Sequence, residues 1–407
     1  MPLIMPFAGL RPLTERAGDV VAPPYDVLTS DEARHRAAGR PCSFLHISKA
    51  EIDLPADTDP YSPEVYARSA ENFDRLIEQG VLVRDPSPRY YAYRMIMGEH
   101  VQTGLVAAAS VADYDSNRIR KHEFTRPDKE DDRVRQIEAL NAQTGPVLLA
   151  YPDCDEADRL ISAATGSAPI ADVDANGVRH TTWAIEDAAT IAGISRVFEA
   201  MPALYIADGH HRSAAASRVS AARRGAGADS AEHFLAVIFP ARQMRIMDYN
   251  RVVRDLNGLS PGDFLTRIGE RFTVSPAPGQ VRPEKPGVVG MYLQGRWYRL
   301  EINAELVPAT DPVARLDVSL LSEHLLGPVL GIADLRRDKR IDFVGGIRGL
   351  GELEHRVDSG EMAVAFAMHA TQMCDLMAVA DSNQVMPPKS TWFEPKLADG
   401  LLSHVLD

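Results

Sequence analysis

The segment from Leu204 to Ala216 restricts the fold of this chain more than any other part of the sequence. Its apolar start, Leu204–Ala207, predicts a short buried strand. A polar run that contains a glycine follows, Asp208-Gly209-His210-His211-Arg212, and then come Ser213 and three alanines. Small side chains let a helix pack closely on a sheet, and glycine adopts a positive φ at little cost. The segment therefore predicts a strand, a tight turn and a helix.

Such a turn predicts a binding site for phosphate. The first N–H groups of a helix have no partner within the helix, and the helix dipole is positive at that end. Arg212 can form two parallel hydrogen bonds to phosphate oxygens, while His210 and His211 can donate from their rings. These features predict phosphate contacts from Gly209 to Ser213.

Two other interpretations of the turn stay open. Asp208 is a residue type that often serves only as a helix cap. A metal site made by Asp208, His210 and His211 is the other alternative. Helix geometry disfavours it, because adjacent residues on a helix point about 100° apart.

The remaining segments predict an α/β protein with mixed sheets and helices, and α+β is the alternative. Alternating or continuous apolar runs predict strands at Tyr90–Met97, Gln102–Tyr114, Gly145–Tyr151 and Phe234–Pro240. Helical periodicity with end signals predicts helices at Pro63–Gln79, Glu156–Thr165, Thr190–Ala200 and His211–Arg224.

We expect three regions along the chain. An N-terminal α/β region with a proline-rich opening covers residues 1–115, and the phosphate-binding core covers 116–250. A C-terminal α+β region with a tail of proline, lysine and aromatic residues covers 251–407.

Charge and composition exclude several classes of protein. Asp and Glu outnumber Lys and Arg by 57 to 44, so the net charge is −13. General nucleic-acid binding and basic membrane-surface binding are therefore not expected. The 3 cysteines include no CxxC pair, which argues against a zinc ribbon or an iron–sulfur cluster. No uncharged stretch is long enough to cross a bilayer, and we expect a soluble, cytoplasmic protein.

A second polar cluster lies upstream, between Ile119 and Arg133. It contains His122 and Glu123 among basic residues. A carboxylate in such surroundings can act as a general base or hold Mg²⁺. The alternative is a solvated helix start with interspersed charges.

Two further groups are candidates for substrate contacts. Tyr25 and Asp26 follow two prolines on a stiff loop, which could also be a structural corner. The tail offers Lys389, Ser390 and Lys396, and lysines in an acidic protein suggest neutralisation of a bound phosphate. The alternative is a tail held to the surface by its aromatic residues.

The chain resembles a known family along almost its whole length. From the Pro6–Pro12 opening to the tail at Met386–Lys396 it is similar to the bacterial and archaeal "domain of unknown function 1015" family. The turn at Asp208–Ala216 resembles that of the ParB/sulfiredoxin-like superfamily, and in particular that of its free-serine kinases.

The resemblance implies a ParB/sulfiredoxin-like nucleotide-binding core. In it, residues 209–213 would hold the phosphates of ATP or ADP, with Mg²⁺. It also implies Glu123 as the base that accepts the proton of a substrate hydroxyl, with His122 and Asp208 as catalytic neighbours and Arg133 nearby. A free amino acid such as L-serine is the substrate implied.

We therefore expect a nucleotide-dependent kinase of a small metabolite. A nucleotide-sensing switch without catalysis, or a nucleotide hydrolase, is the alternative. The expected partners are a nucleotide and a metabolite, with no nucleic acid and no membrane. A homodimer is the ordinary expectation for a protein that assembles.

Overall fold

The computed structural model describes residues 1–224 and 229–407. The chain forms two compact units, one made of Met1–Met244 with Pro395–Asp407 and the other of Arg245–Glu394. These units differ from the three expected regions for two reasons. Strands from both sides of residue 115 pair in one sheet, and a single strand, Tyr249–Val253, runs through residue 250. Helices and sheets of mixed direction confirm the predicted α/β class.

The first unit is built on a mixed sheet. The strands of this unit are β1 (Ile4–Met5), β2 (Leu10–Pro12), β3 (Leu82–Arg84), β4 (Tyr90–Met97), β5 (His100–Ser110), β6 (Ile119–Arg120), β7 (Ala142–Gln143), β8 (Val147–Tyr151), β9 (Ala171–Ala175), β10 (Val178–Ile185), β11 (Leu204–Asp208) and β12 (His233–Pro240), with β21 (His404–Val405) near the C-terminus. The sheet order is β6-β11-β8-β12-β5-β4-β10-β9, and β1 also pairs with β5. β12 runs parallel to β8, and β11 runs parallel to β6.

Helices cover this sheet and build a second core beside it. They are α1 (Ala17–Val20), α2 (Ser30–Ala37), α3 (Leu45–Ser48), α4 (Pro63–Glu78), α5 (Val111–Asp115), α6 (Pro127–Leu140), α7 (Asp155–Ala164), α8 (Ala188–Glu199) and α9 (His210–Arg223). Side chains of α7 and α8 pack with the sheet in one apolar cluster, while α2, α3 and α4 contribute to another. The helix that follows the predicted turn, α9, packs on α6 and α5.

The strand predicted at Gln102–Tyr114 is partly wrong. β5 ends at Ser110, and the residues after it form α5. The Ser110 hydroxyl accepts a hydrogen bond from the Asp113 N–H at 3.1 Å, so Ser110 caps α5. The apolar residues of α5 continue the pattern of β5, and the pattern therefore predicted a strand.

The second unit contains an antiparallel sheet in the order β15-β17-β16-β19-β14-β18 and a ribbon of β13 with β20. Its elements are β13 (Arg245–Met247), β14 (Tyr249–Val253), α10 (Pro261–Ile268), β15 (Phe272–Ala277), β16 (Val288–Leu293), β17 (Arg296–Ile302), α11 (Asp317–Leu321), β18 (Ile341–Gly345), α12 (Leu350–Asp358), β19 (Val364–Ala367), α13 (Met373–Asp381) and β20 (Trp392–Glu394). Across both units, none of the helices in the described residues combines the length and the apolar character needed to cross a membrane.

Candidate functional site

The turn between β11 and α9 has the conformation that its glycine allows. Gly209 has φ +97° and is the residue before the first turn of α9. A Cβ at this position would lie 3.3 Å from the Val147 Cα, so a larger residue would be both strained and crowded. Within the described part of the chain, no side chain caps α9. The N–H groups of its first residues therefore remain available to an anion.

Asp208 lies at the entrance to this turn and is paired with a lysine from the C-terminal segment. Its Oδ2 lies 3.1 Å from the Lys396 Nζ, and its Oδ1 accepts a hydrogen bond from the Gly209 N–H at 2.8 Å. Loss of water contact alone would raise the pKa of Asp208. The Lys396 ammonium and the Arg212 guanidinium outweigh that effect and hold the pKa below its usual range.

Arg212 is in the first turn of α9, and its guanidinium group already donates hydrogen bonds within the protein. Its Nη1 donates to the Pro146 carbonyl at 2.7 Å, and its Nη2 donates to the Asp26 carboxylate at 3.0 Å. The Nε is buried without a hydrogen-bond partner among the described residues. Burial is the largest single influence on the pKa of Arg212 and lowers it, but the surrounding acidic groups, Asp26 foremost, together raise it further, so the side chain stays charged.

The residues predicted from the proline-rich loop are brought to Arg212 by the tertiary structure. The Arg133 guanidinium stacks 3.8 Å from the centre of the Tyr25 ring, and that of Arg212 lies 5.3 Å from the same ring. Arg133 also pairs with Asp132 at 2.7 Å. Burial raises the pKa of the Tyr25 phenol, which is therefore neutral. Tyr25, Asp26, Arg133 and Arg212 thus form one cluster.

A small cavity lies beside this cluster. Its volume is about 30 Å³, and its lining includes Tyr25, Arg133, Gln136, Thr144 and Arg212. A cavity of this size holds roughly two water molecules or a small polar group.

His122 and Glu123 reach the turn because of strand pairing. β6 lies parallel to β11, with Ile119 opposite Leu204, so the residues just after β6 lie beside those just after β11. The His122 N–H points to the His210 Nε2 at 3.4 Å, and the Glu123 Oε2 lies 3.8 Å from the His210 Nδ1. Burial lowers the pKa of His122 to about 4 and that of His210 well below its usual range, so both rings are neutral.

His211 and Ser213 have local partners. The His211 Nε2 accepts a hydrogen bond from the Arg126 N–H at 3.0 Å, and burial lowers the pKa of this ring. Ser213 is fully buried, and its hydroxyl donates to the His210 carbonyl at 3.1 Å. The Ser213 N–H donates to the Gly209 carbonyl, which leaves Ser213 little capacity for a phosphate.

Two of the three predicted tail residues belong to the second unit. The Lys389 ammonium lies 5.6 Å from the centre of the Tyr249 ring, and the Ser390 hydroxyl donates to the Pro387 carbonyl at 2.6 Å. Both contacts are internal to Arg245–Glu394, whereas the turn and Lys396 belong to the first unit.

Asp399 is a member of the cluster that sequence reasoning missed. Its backbone pairs with Ala22, which places it close to the proline-rich loop, and the Tyr25 N–H donates to its carboxyl group. Burial is the main reason that its pKa rises to about 7. No local pattern marks this residue. Its only sequence signal is its position three residues after Lys396.

The family described as "Protein of unknown function (DUF1015)" matches residues 4–319. The chain belongs to this family. A search of curated proteins found no significant match.

Several solved structures resemble this DUF1015 protein at low identity. A free serine kinase mutant in complex with AMP is 13% identical, with 73% of this chain and 89% of that chain covered and a TM-score of 0.34. A conserved hypothetical protein from Pyrococcus furiosus is 14% identical, with 75% and 97% covered and a TM-score of 0.35. SbnI with a C-terminal truncation, from Staphylococcus aureus, is 12% identical, with 72% and 84% covered and a TM-score of 0.38. The ParB/sulfiredoxin-like core stays a prediction.

Proposed function

We propose that this DUF1015 protein binds a nucleotide by its phosphates at the turn before α9 and transfers a phosphoryl group to the hydroxyl of a small metabolite. The observation that carries the proposal is the uncapped start of α9 directly after Gly209, with Lys396 held beside it by Asp208. A helix start offers N–H donors and a positive dipole, and the lysine adds a full charge. Both favour a phosphate group at this position.

The residues around the turn would then have separate roles. The N–H groups of His210 and His211 would donate to phosphate oxygens, and Lys396 would neutralise their charge. Arg212 would contribute its charge from below, since its Nη groups already donate to Pro146 and Asp26. Ser213 would contribute by closing the first helical turn.

Asp208 is suited to a magnesium ion. Its carboxylate is ionised, and each oxygen accepts one hydrogen bond and keeps a further lone pair. Magnesium is commonly held by one or two carboxylates together with substrate phosphates. When bound, the ion would supply neutralisation of phosphate charge.

Glu123 is the proposed base. Its side chain is half-exposed and can therefore reach an acceptor hydroxyl, while His210 lies 3.8 Å from it on the buried side. The carboxylate of the acceptor would enter the cavity lined by Tyr25, Arg133 and Arg212, which has room for a small polar group, and the charges of the two guanidinium groups would favour it there. L-serine is the first acceptor to test, because the turn sequence resembles that of free-serine kinases.

Calorimetric binding of ATP, ADP, CTP and phosphoserine with Mg²⁺ tests the phosphate site. We expect wild type to bind at least one of them, and Arg212→Ala and Lys396→Met to bind it at least tenfold more weakly, about 1.4 kcal/mol. Arg218→Ala is the matched control, because this arginine is also on α9 but forms exposed ion pairs with Glu130 and Asp131. Equal affinity in all four proteins, or no binding by folded wild type, would rule out the site.

Turnover separates the proposed kinase from its alternatives. With ATP or ADP and L-serine, Glu123→Gln should retain nucleotide affinity and lose at least a hundredfold in phosphoserine formation. Asp128→Asn, an exposed carboxylate on α6, should retain activity. Release of phosphate without an acceptor would indicate a hydrolase, and binding without any turnover would indicate a switch.

A nucleotide switch is the second candidate, and the Arg212–Asp26 ion pair favours it. A phosphate that takes over Arg212 would weaken the hold on Asp26 and release the loop that carries Tyr25. Hydrogen exchange of residues 22–28 with and without nucleotide measures this: faster exchange supports the switch, and unchanged exchange argues against it. The expected homodimer and cytoplasmic location stay predictions.

A further inference from the structure

We propose that His122, Glu123 and His210 form a binding site for a divalent transition metal ion, with Zn²⁺ as the best match. Each residue offers one ligand atom, a ring nitrogen or a carboxylate oxygen, and these three atoms lie within 4.8 Å of one another. Its ligand atoms are all side-chain atoms, distinct from the backbone N–H groups proposed for phosphate and from Asp208, the ligand suggested for magnesium. The site shares Glu123 with the proposed function but goes beyond it, since that function assigns no ion to these three residues.

The His122 ring has the environment of a metal ligand. It is 2% exposed, and its Nδ1 has no hydrogen-bond partner among the described residues. The same ring donates to the backbone carbonyl of Ile206. Metal-binding histidines typically donate one ring N–H to a carbonyl or carboxylate and offer the other nitrogen to the ion. A buried nitrogen without a partner is costly, and a cation would remove that cost.

His210 meets His122 almost at a right angle. Their ring centres are 4.5 Å apart and their planes are inclined by 89°. The backbone N–H of His122 donates to the His210 Nε2 over 3.4 Å, a long hydrogen bond that ion binding would replace.

Glu123 is the ligand with the most freedom to move when an ion binds, because its side chain is half-exposed. The ligand atoms of a tetrahedral zinc ion lie about 3.3 Å from one another. The three ligand atoms of this site lie within 4.8 Å of one another, so they must move closer together to bind zinc. The Glu123 side chain is half-exposed and its Oε2 is already 3.8 Å from the His210 Nδ1, so a side-chain rotation can bring its carboxylate closer to the two imidazole rings.

The donor set decides which ions fit. Two imidazole nitrogens and one carboxylate oxygen suit Zn²⁺, Co²⁺ or Ni²⁺, whereas Mg²⁺ and Ca²⁺ prefer oxygen ligands. Three protein ligands leave a coordination position for water or another small molecule. An ion bound here would occupy the carboxylate that the proposed function uses as a base, so it would inhibit phosphoryl transfer.

Titration of the nucleotide-free protein with Co²⁺, followed by its visible absorption and by competition with Zn²⁺, tests the site. We expect one ion per chain, displaced by stoichiometric Zn²⁺ and not by millimolar Mg²⁺. Glu123→Gln should weaken binding at least tenfold, and His122→Asn should weaken it further. His211→Asn is the matched control, because this ring is adjacent in sequence but bonded to Arg126, and it should leave affinity unchanged.

Because Glu123 is half-exposed, Glu123→Gln should fold, and its Co²⁺ affinity tests the site even if the buried His122→Asn variant does not fold. Absence of a Co²⁺ spectrum in folded wild type would overturn the proposal, and so would equal loss of affinity in Glu123→Gln and His211→Asn. The titration contains no nucleotide, so its failure is independent of failure of the phosphate-binding proposal.

Discussion

The Asp399 carboxyl group lies out of contact with water, near Arg212, Arg133 and Asp26. Its Oδ1 has no hydrogen-bond partner among the described residues. Burial raises its pKa more than the two guanidinium groups lower it, and the result is a pKa of about 7. In an unfolded chain an aspartate has a pKa near 4. The folded protein therefore binds an extra proton at mildly acid pH.

This proton makes the stability of the protein depend on pH. Between about pH 4 and pH 7 the folded state binds more protons than the unfolded state at Asp399, so this residue lowers the free energy of unfolding as the pH rises. The Asp399→Asn variant cannot lose this proton, so its free energy of unfolding should fall less as the pH rises. At pH 8 it should be more stable than wild type by up to a few kcal/mol. Urea unfolding at pH 4.5 and pH 8 measures the difference.

The exposed Asp57 provides the control, and Asp57→Asn should follow the wild-type pH profile. If Asp399→Asn also followed that profile, Asp399 would be ionised in the folded protein across this pH range.

At the scale of a residue, the position of Arg212 could be predicted from the sequence, but its hydrogen bonds could not. Its position in the turn was predictable, because the turn signal is local. Its hydrogen bonds were not, because their acceptors are on Pro146 and Asp26, which are 66 and 186 residues away in the chain. The two Nη groups that the sequence predicts as phosphate donors therefore already donate within the protein.

At the scale of elements, the contact between β5 and β12 depends on a glycine. A Cβ on Gly104 would lie 2.4 Å from the Ile238 carbonyl oxygen and 2.6 Å from the Phe239 ring. β12 is buried at every residue and lies between β5 and β8, so the neighbouring strands leave little room for adjustment.

Gly104→Ala should therefore destabilise the protein by about 1–3 kcal/mol, the usual cost of overpacking. Chemical denaturation measures this change. Gly351→Ala is the comparison, because a Cβ at that position in α12 meets nothing within 4 Å, and it should cost nothing. Equal stability of both variants and wild type would show that β12 can shift away from β5.

Elements with a strong and uninterrupted pattern were predictable. The strand at Tyr90–Met97 has the expected bounds, and the apolar run at Phe234–Pro240 is the interior of a sheet. Val111–Tyr114 was not predictable as a helix, because its apolar residues continue the pattern of the strand before it. The Ser110 cap, which is a single residue, decides the outcome there.

At the scale of the whole molecule, the net charge of −13 acts against binding of polyanions. A local phosphate site is compatible with this charge, because the helix start and Lys396 act over a short distance. A continuous basic surface for nucleic acid is not expected.

We expect no binding of a labelled DNA duplex at physiological salt and micromolar protein, measured by fluorescence anisotropy. Weak binding at low salt should disappear as salt is raised, since it would depend on released counterions. Sequence-dependent binding that persists at physiological salt would contradict this expectation and would return a nucleic acid to the list of partners.

The family follows from motifs along the amino-acid sequence. The α/β class and the strand, turn and helix around Gly209 also follow from the sequence, because their signals lie in neighbouring residues. Which side chains meet at that turn depends on the tertiary structure. Parallel pairing of β6 with β11 brings His122 and Glu123 to His210, and Lys396 reaches Asp208 across 188 residues of chain. Such contacts depend on which strands pair and where the C-terminal segment returns, and no local pattern of side chains encodes either.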